Sequence, residues 1–495
     1  MLTETGTGTR PTVQAGDHRL AFWRRVREFA VPPTMIDTAT VRREAGDWAG
    51  ACAAARVDVD LDLRRLAATY GGELTARLRA DLRHFAPDLL RWHLPRIGPD
   101  GLLRPGVTIS LARYGTGVAG RRLHLVVRTP PAWADAGQRI SLTVWDGTLT
   151  EGPPHPHPRP SARFRLDLHR HLWDARRAGE LRERAGLVDG PGGAGVPSLT
   201  GRGSQRPSWA ADPVQLPTWA REVESHWAVA QWSAEARLVL AAGRYGPDAG
   251  DAAQGPEADA PVGPGLVGVR LGSGRRLAID TRTSRITADP GDVPVLPDAA
   301  TWVPPDLELL DAGMIDGERL HPLVAKALGV RASRGGADRE PARRTHLVDC
   351  RGARHRIAQV DGVLAPLDHD PADLHREELL AALGGPPMPC LQAIDDAHRH
   401  PESFGGIRER LAHGDFTGAF DVMEGLLGAG AQLRAGPLRD TLEEALRRRI
   451  AHGLYRAGFT QPGLSGKEYW HRLYEERTSP RNARIRNTRN RTNER

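Results

Sequence analysis

Cysteine, histidine and aspartate gather in one short stretch of this chain: Cys350, His355, Asp368, His369, Asp370 and His375. Thiolate, imidazole and carboxylate are the side chains that hold zinc. Cys390, His398 and His400 follow, on or near the next predicted helix. No Cys-x-x-Cys or His-x-x-x-His spacing occurs among them, so the fold, not a local loop, has to assemble any site. No motif calls for a cofactor; zinc is the ion the set Cys350, His355, Asp368 and His369 would take. If a metal is bound, Cys350 and His369 are its ligands, because they can meet at the edge of one small sheet. The competing reading makes each cysteine a small core hydrophobe and Asp368 to Asp370, ahead of Pro371, a helix cap.

Other candidates are weaker. His155 and His157 alternate with prolines, and His169 and His171 end a predicted strand; neither pair needs a metal to exist. Asp58, Asp60 and Asp62 alternate with apolar residues. In a strand they would share a face and suit a hard divalent cation. Just before a helix at Leu63 they would favour the positive end of its dipole, and we take this second reading. Gly190, Gly192 and Gly195 match a dinucleotide fingerprint, but within a Pro-rich stretch with neither strand nor helix beside it. Gly463 to Lys467 lacks the hydroxyl that would bind magnesium, since Glu468 stands in its place.

The formal charge of +7 looks like a nucleic-acid signature until it is located. Residues 477–495 hold seven arginines and one acid, a net +6, which leaves about +1 for the rest of the chain. Arg481, Arg484, Arg486, Arg489 and Arg491, with asparagines between them, could follow a phosphate backbone without reading sequence. Only two lysines accompany 66 arginines. That bias fits coding from a GC-rich genome and is poor support for selected arginine chemistry.

The elements that must position these residues follow from periodicity. Hydrophobic residues at 40% and charged ones at 26% suffice for real cores. Residues 1–16 read as disordered, and 17–96 as helical, with Leu74, Leu78, Leu82, Phe85 and Leu89 on one stripe. An antiparallel sheet is expected from Val107–Leu111, Leu123–Arg128, Ile140–Trp145 and Phe164–His169, completing a region 17–183. A linker at 185–218 precedes a β-rich region, 219–330, which linker 244–264 interrupts. That region holds a strand-like Ala236–Ala241, a hairpin over Leu266–Leu271 and Arg276–Asp280, and a helical end. Trp209, Trp219, Trp227 and Trp232 read as core rather than as a recognition surface. After linker 331–344, a domain over 345–475 combines three strands with helices near 372–383, 389–399, 403–412, 415–427 and 437–457. A disordered basic tail, 477–495, ends the chain. The expected architecture is α+β and multi-domain.

One internal echo stands out. Gly46-Asp47-Trp48-Ala49-Gly50-Ala51 resembles Gly414-Asp415-Phe416-Thr417-Gly418-Ala419. Glycine ending one helix and aspartate capping the next predicts two helical hairpins.

Cys52, Cys350 and Cys390 form no disulfide framework, no signal peptide is read at the N-terminus, and no long apolar run occurs. The expected place is the cytoplasm, with no membrane partner. Three stretches carry a family impression: Phe29-Ala30-Val31-Pro32-Pro33 with Met35-Ile36, Arg128 to Asp135, and Leu364 to Asp370. On these the chain resembles uncharacterised cytosolic proteins of GC-rich actinobacteria, a resemblance that implies no activity. The leading expectation is a non-catalytic binding or scaffold protein with another protein as partner. Its rivals are a nucleic-acid-associated protein acting through the tail and a metal-dependent enzyme using the C-terminal cluster.

Overall fold

A computed structural model describes residues 12–116, 122–147, 155–187, 226–244, 265–271, 276–288, 291, 293–330, 346–350, 352–360, 363–386, 388–399, 406–427 and 436–459. The expected linkers fall almost wholly outside these residues, as do Trp209, Trp219, the Gly190–Gly195 fingerprint, Gly463–Lys467 and the arginine tail. The architecture is α+β, with several small sheets and many helices. No helix among the described residues is long and apolar enough to cross a membrane.

The largest core lies under a sheet formed by β1 (Val57–Val59), β2 (Thr108–Thr116), β3 (Arg122–Arg128) and β4 (Ile140–Trp145), in the order β1-β4-β3-β2. Strands β2, β3 and β4 are antiparallel, whereas β1 runs parallel to β4. Alternation puts Ile109, Leu111, Leu123, Leu125, Ile140 and Leu142 inside. The stripe Leu78, Leu82, Phe85 and Leu89 joins them, and so do Leu307 and Leu328 from the helices Pro305–Asp311 and Pro322–Leu328. Burial of one Leu or Phe contributes about 1.5–3 kcal/mol, so this core dominates the stability of the molecule.

Phe164–His169 does not supply the fourth strand. It touches β2 through a single bridge, Ser110 to Arg165, and then coils into 3₁₀ turns at Leu166–Leu168 and Arg170–Leu172. The buried Asp167 carboxylate is the cause: Arg165 and Arg113 both reach it, each at 2.8 Å, and the chain curls around it. The fourth strand comes instead from the aspartate-rich segment. Asp58 pairs with Arg139, Asp60 accepts from Arg456 at 2.6 Å, and Asp62 caps the helix Leu63–Tyr70. These carboxylates are taken up by arginines and backbone, which removes the case for a cation there. Burial alone would raise the Asp58 carboxyl; hydrogen bonds from His452 and Arg139 outweigh it and hold the group well below the usual range.

A second core packs the helix Trp232–Arg244 on the meander β5 (Leu266–Arg270), β6 (Arg276–Asp280) and β7 (Arg285–Ala288). Ala236–Ala241 is therefore helical, not extended. Trp232, Ala236, Val239 and Ala242 recur at helical spacing and are all buried. Trp227, Trp232 and Trp302 meet in this core.

The echo at residues 46 and 414 is real in three dimensions. Helices Pro33–Glu44 and Trp48–Ala54 form one hairpin, and Ile407–Ala412 and Phe416–Leu427 the other. Gly46 and Gly414 are left-handed, with φ of 78° and 81°. Asp47 accepts from the Gly50 N–H and Asp415 from the Gly418 N–H. Each aspartate also binds the arginine five residues before it, Arg42 at 3.1 Å and Arg410 at 2.7 Å. The second hairpin is docked on the main core. A Cβ on Gly414 would collide with the Gly137 carbonyl, while one on Gly46 would meet nothing. The helix Pro437–Arg456 extends that contact through Arg448 to Asp135 and His452 to the Ala134 carbonyl.

Candidate metal centre

Three strands and one helix build the C-terminal site. β8 (His346–Cys350), β9 (Ala353–Val360) and β10 (Val363–Pro366) form an antiparallel meander. Gly352, with φ of 83°, takes the left-handed turn between the first two. Cys350 pairs with Ala353 and Val348 with His355. Because side chains alternate and directly paired residues share a face, Val348, Cys350, His355 and Ile357 all project from the same side. That side is covered by the helix Pro389–Arg399, whose second residue is Cys390. The core here is small: Cys350, Ile357, Leu364, Met388 and Cys390 are its buried members.

His369 arrives from the turn after β10. The turn is pinned by Asp368, which accepts from the Arg356 backbone N–H at 2.7 Å and from its guanidinium at 2.6 Å. Those contacts to Arg356 hold the Asp368 carboxyl at about 2. Asp370 then accepts from the Ala372 N–H at the start of the helix Pro371–Ala382.

Four donor atoms converge: those of Cys350, His355, His369 and Cys390 lie within 4.8 Å of one another. His355 Nδ1 is 2.6 Å from His369 Nε2, which is 3.3 Å from Cys390 Sγ. Tetrahedral zinc with Zn–S near 2.3 Å and Zn–N near 2.0 Å sets its ligand atoms roughly 3.3–3.8 Å apart. The separations of 2.6 and 3.3 Å lie below and at the lower edge of that range, and no two of the four atoms are more than 4.8 Å apart. Both sulfurs are fully buried, while the two rings are half-buried.

Burial pushes the Cys390 thiol up to about 12, and the adjoining Cys350 adds to the effect. Two thiols packed together resist ionising alone; a divalent ion between them reverses the balance. Cys390 also lies in the first turn of its helix, where the dipole favours a thiolate.

The structure thus brings together Cys350, His355 and His369 from the sequence-derived ligand set and adds Cys390. Asp368 is not among the four, because Arg356 occupies its carboxylate. Cys390 carried one signal in the sequence: it is the second cysteine of the C-terminal domain, directly after Pro389 at a helix start. His375 is exposed on the helix Pro371–Ala382, away from the cluster. The other histidine pairs are engaged elsewhere. His155 is 2.9 Å from the Thr129 carbonyl, and His169 is 3.1 Å from Glu235. No family model matches the chain, and neither a curated protein nor a solved structure shows significant similarity to it.

Proposed function

We propose that Cys350, His355, His369 and Cys390 hold one structural zinc ion, and that the protein is a non-catalytic scaffold whose C-terminal module the metal locks. The carrying observation is the closed set of four protein donors, two of them buried thiols. Catalytic zinc keeps a position open for water or substrate, whereas structural zinc is enclosed by four side chains. A Cys₂His₂ set is of the second kind, which argues against a metal-dependent enzyme at this cluster. The module has a reason to need a staple. Five buried side chains make a poor core for three strands and two helices. Zinc would tie the end of β8, the middle of β9, the turn after β10 and the covering helix to one point.

Elemental analysis of protein purified without added metal tests this. One zinc per chain is expected, retained through gel filtration and lost on prolonged treatment with a strong chelator. Protein that stays metal-free even after incubation with excess zinc would end the proposal.

A further inference from the structure

The molecule also contains a cavity of about 500 Å³, remote in sequence from the cysteines, between the main core and the tryptophan core. We propose that it binds an organic monoanion: a carboxylate or sulfonate head on a flat, largely apolar body.

The walls are mainly apolar and rich in rings. Phe22, Trp23, Phe164, Trp227 and Trp302 line them. A volume of this size suits one drug-sized molecule. Trp23, His93, Arg96, His171 and Trp227 are among the lining residues, and each holds one buried nitrogen with no hydrogen-bond partner among the described residues, set behind the cavity surface. His171 and Trp227 are each only 6% exposed.

The sign of the guest follows from the charges. Arg19, Arg163 and Arg184 line the cavity, and each is neutralised by a carboxylate: Glu308, Asp298 and Glu235 in turn. Arg96 and Arg104 line it too, and among the described residues neither has an ion pair. The Arg96 guanidinium donates only to the carbonyls of Gly101 and Arg91, and burial draws it down to about 9. Arg104 is likewise lowered, by burial first and then by Arg163; Asp298 pulls the other way but already receives the Arg163 Nε. The Arg96 donors are taken by two carbonyls, so among the described residues Arg104 is the lining guanidinium left for a guest, and beside neutral imidazoles it is complementary to one negative charge. His93, drawn down to about 3 by burial and by His321 and Arg96, is neutral and can donate or accept. A doubly charged phosphate ester would leave its second charge uncompensated beside Arg104.

The test uses the full chain and two fluorescent probes of similar ring system, anilinonaphthalenesulfonate and the uncharged N-phenylnaphthylamine. Energy transfer from the lining tryptophans reports occupancy. The sulfonate is expected to saturate at one site per chain and to bind at least tenfold tighter than the uncharged probe. Simple aromatic carboxylates should displace it. Arg104→Gln should weaken the sulfonate about tenfold and leave the uncharged probe unchanged, while Arg104→Lys retains most of the preference. Absence of saturable binding, equal affinity for the two probes, or a sulfonate affinity indifferent to Arg104→Gln would each overturn the proposal. Should a variant fail to fold, the comparison of probes on the unaltered protein still decides.

Discussion

Cys390→Ser is expected to lose the metal and to unfold the sheet-plus-helices module while the rest of the molecule stays folded. Structural zinc contributes roughly 10–16 kcal/mol of apparent binding free energy in small modules, where it is folding free energy. Serine keeps the shape but is no competent zinc ligand at neutral pH. Among the described residues, those from 346 to 399 pack mainly on the helices Phe416–Leu427 and Pro437–Arg456. The helices beyond are held independently, through Arg56 to the His413 carbonyl at 2.7 Å and Arg456 to Asp60. Trypsin should therefore cut the variant first at Arg354, Arg356 or Arg376, sites that the metal-bound protein protects. Chelator treatment of the unaltered protein should give the same pattern. Equal protection in variant and parent would show that the five-residue core suffices without metal. Binding should also depend on pH. Cys390 is a thiol at neutral pH, its pKa raised to about 12, so capture of zinc must release its proton. Apparent affinity should rise at least about tenfold per pH unit across the neutral range.

The second large effect is loss of stability in mild acid. His93 and His413 are drawn down to about 3, and His124 and His155 to about 4, in each case chiefly by burial. His171 is lowered as well, for the same reason. A histidine with a depressed native pKa is neutral in the folded state and charges on unfolding below about 6.5. The unfolded chain then binds more protons, so stability is complete above that pH and falls as pH drops toward the native values. Burial raises three carboxyls, Asp306, Glu308 and Glu409, and these work in the opposite direction. Each such histidine contributes up to about 1.4 kcal/mol per pH unit below about 6.5, and the raised carboxyls subtract from that sum only as they themselves titrate. Urea midpoints measured near pH 7 and pH 5.5 should differ markedly, and His413→Gln should flatten the dependence. Superimposable curves at the two pH values would contradict it.

What could be read from the chain alone was local. The Gly-Asp turns at residues 46 and 414 announced two helical hairpins because both signals, a left-handed glycine and a capping aspartate, act within a few residues. The strands at Leu266–Arg270, Arg276–Asp280 and His346–Pro366 were equally legible, being short apolar runs split by glycine turns. Two segments misled. Phe164–His169 alternates like a strand, but Asp167 recruits Arg113 from β2 and bends it. Ala236–Ala241 is apolar enough for a strand, and only its burial against β5 and β6 selects the helix. At the metal centre, Cys350, His355 and His369 were legible as strand-end residues of one meander. Asp368 lies outside the four converging donors because Arg356, twelve residues earlier, is brought opposite it by the pairing of β9 with β10. The cavity could not be read at all, since Trp23, Arg104, His171 and Trp302 meet only through tertiary packing.

The account rests on zinc held by two cysteines and two histidines. X-ray absorption at the zinc edge of the purified protein measures that donor set directly. It predicts two sulfurs at about 2.3 Å and two imidazole nitrogens at about 2.0–2.1 Å, with no oxygen in the shell. A shell of nitrogen and oxygen alone, or one containing a single sulfur, would contradict it.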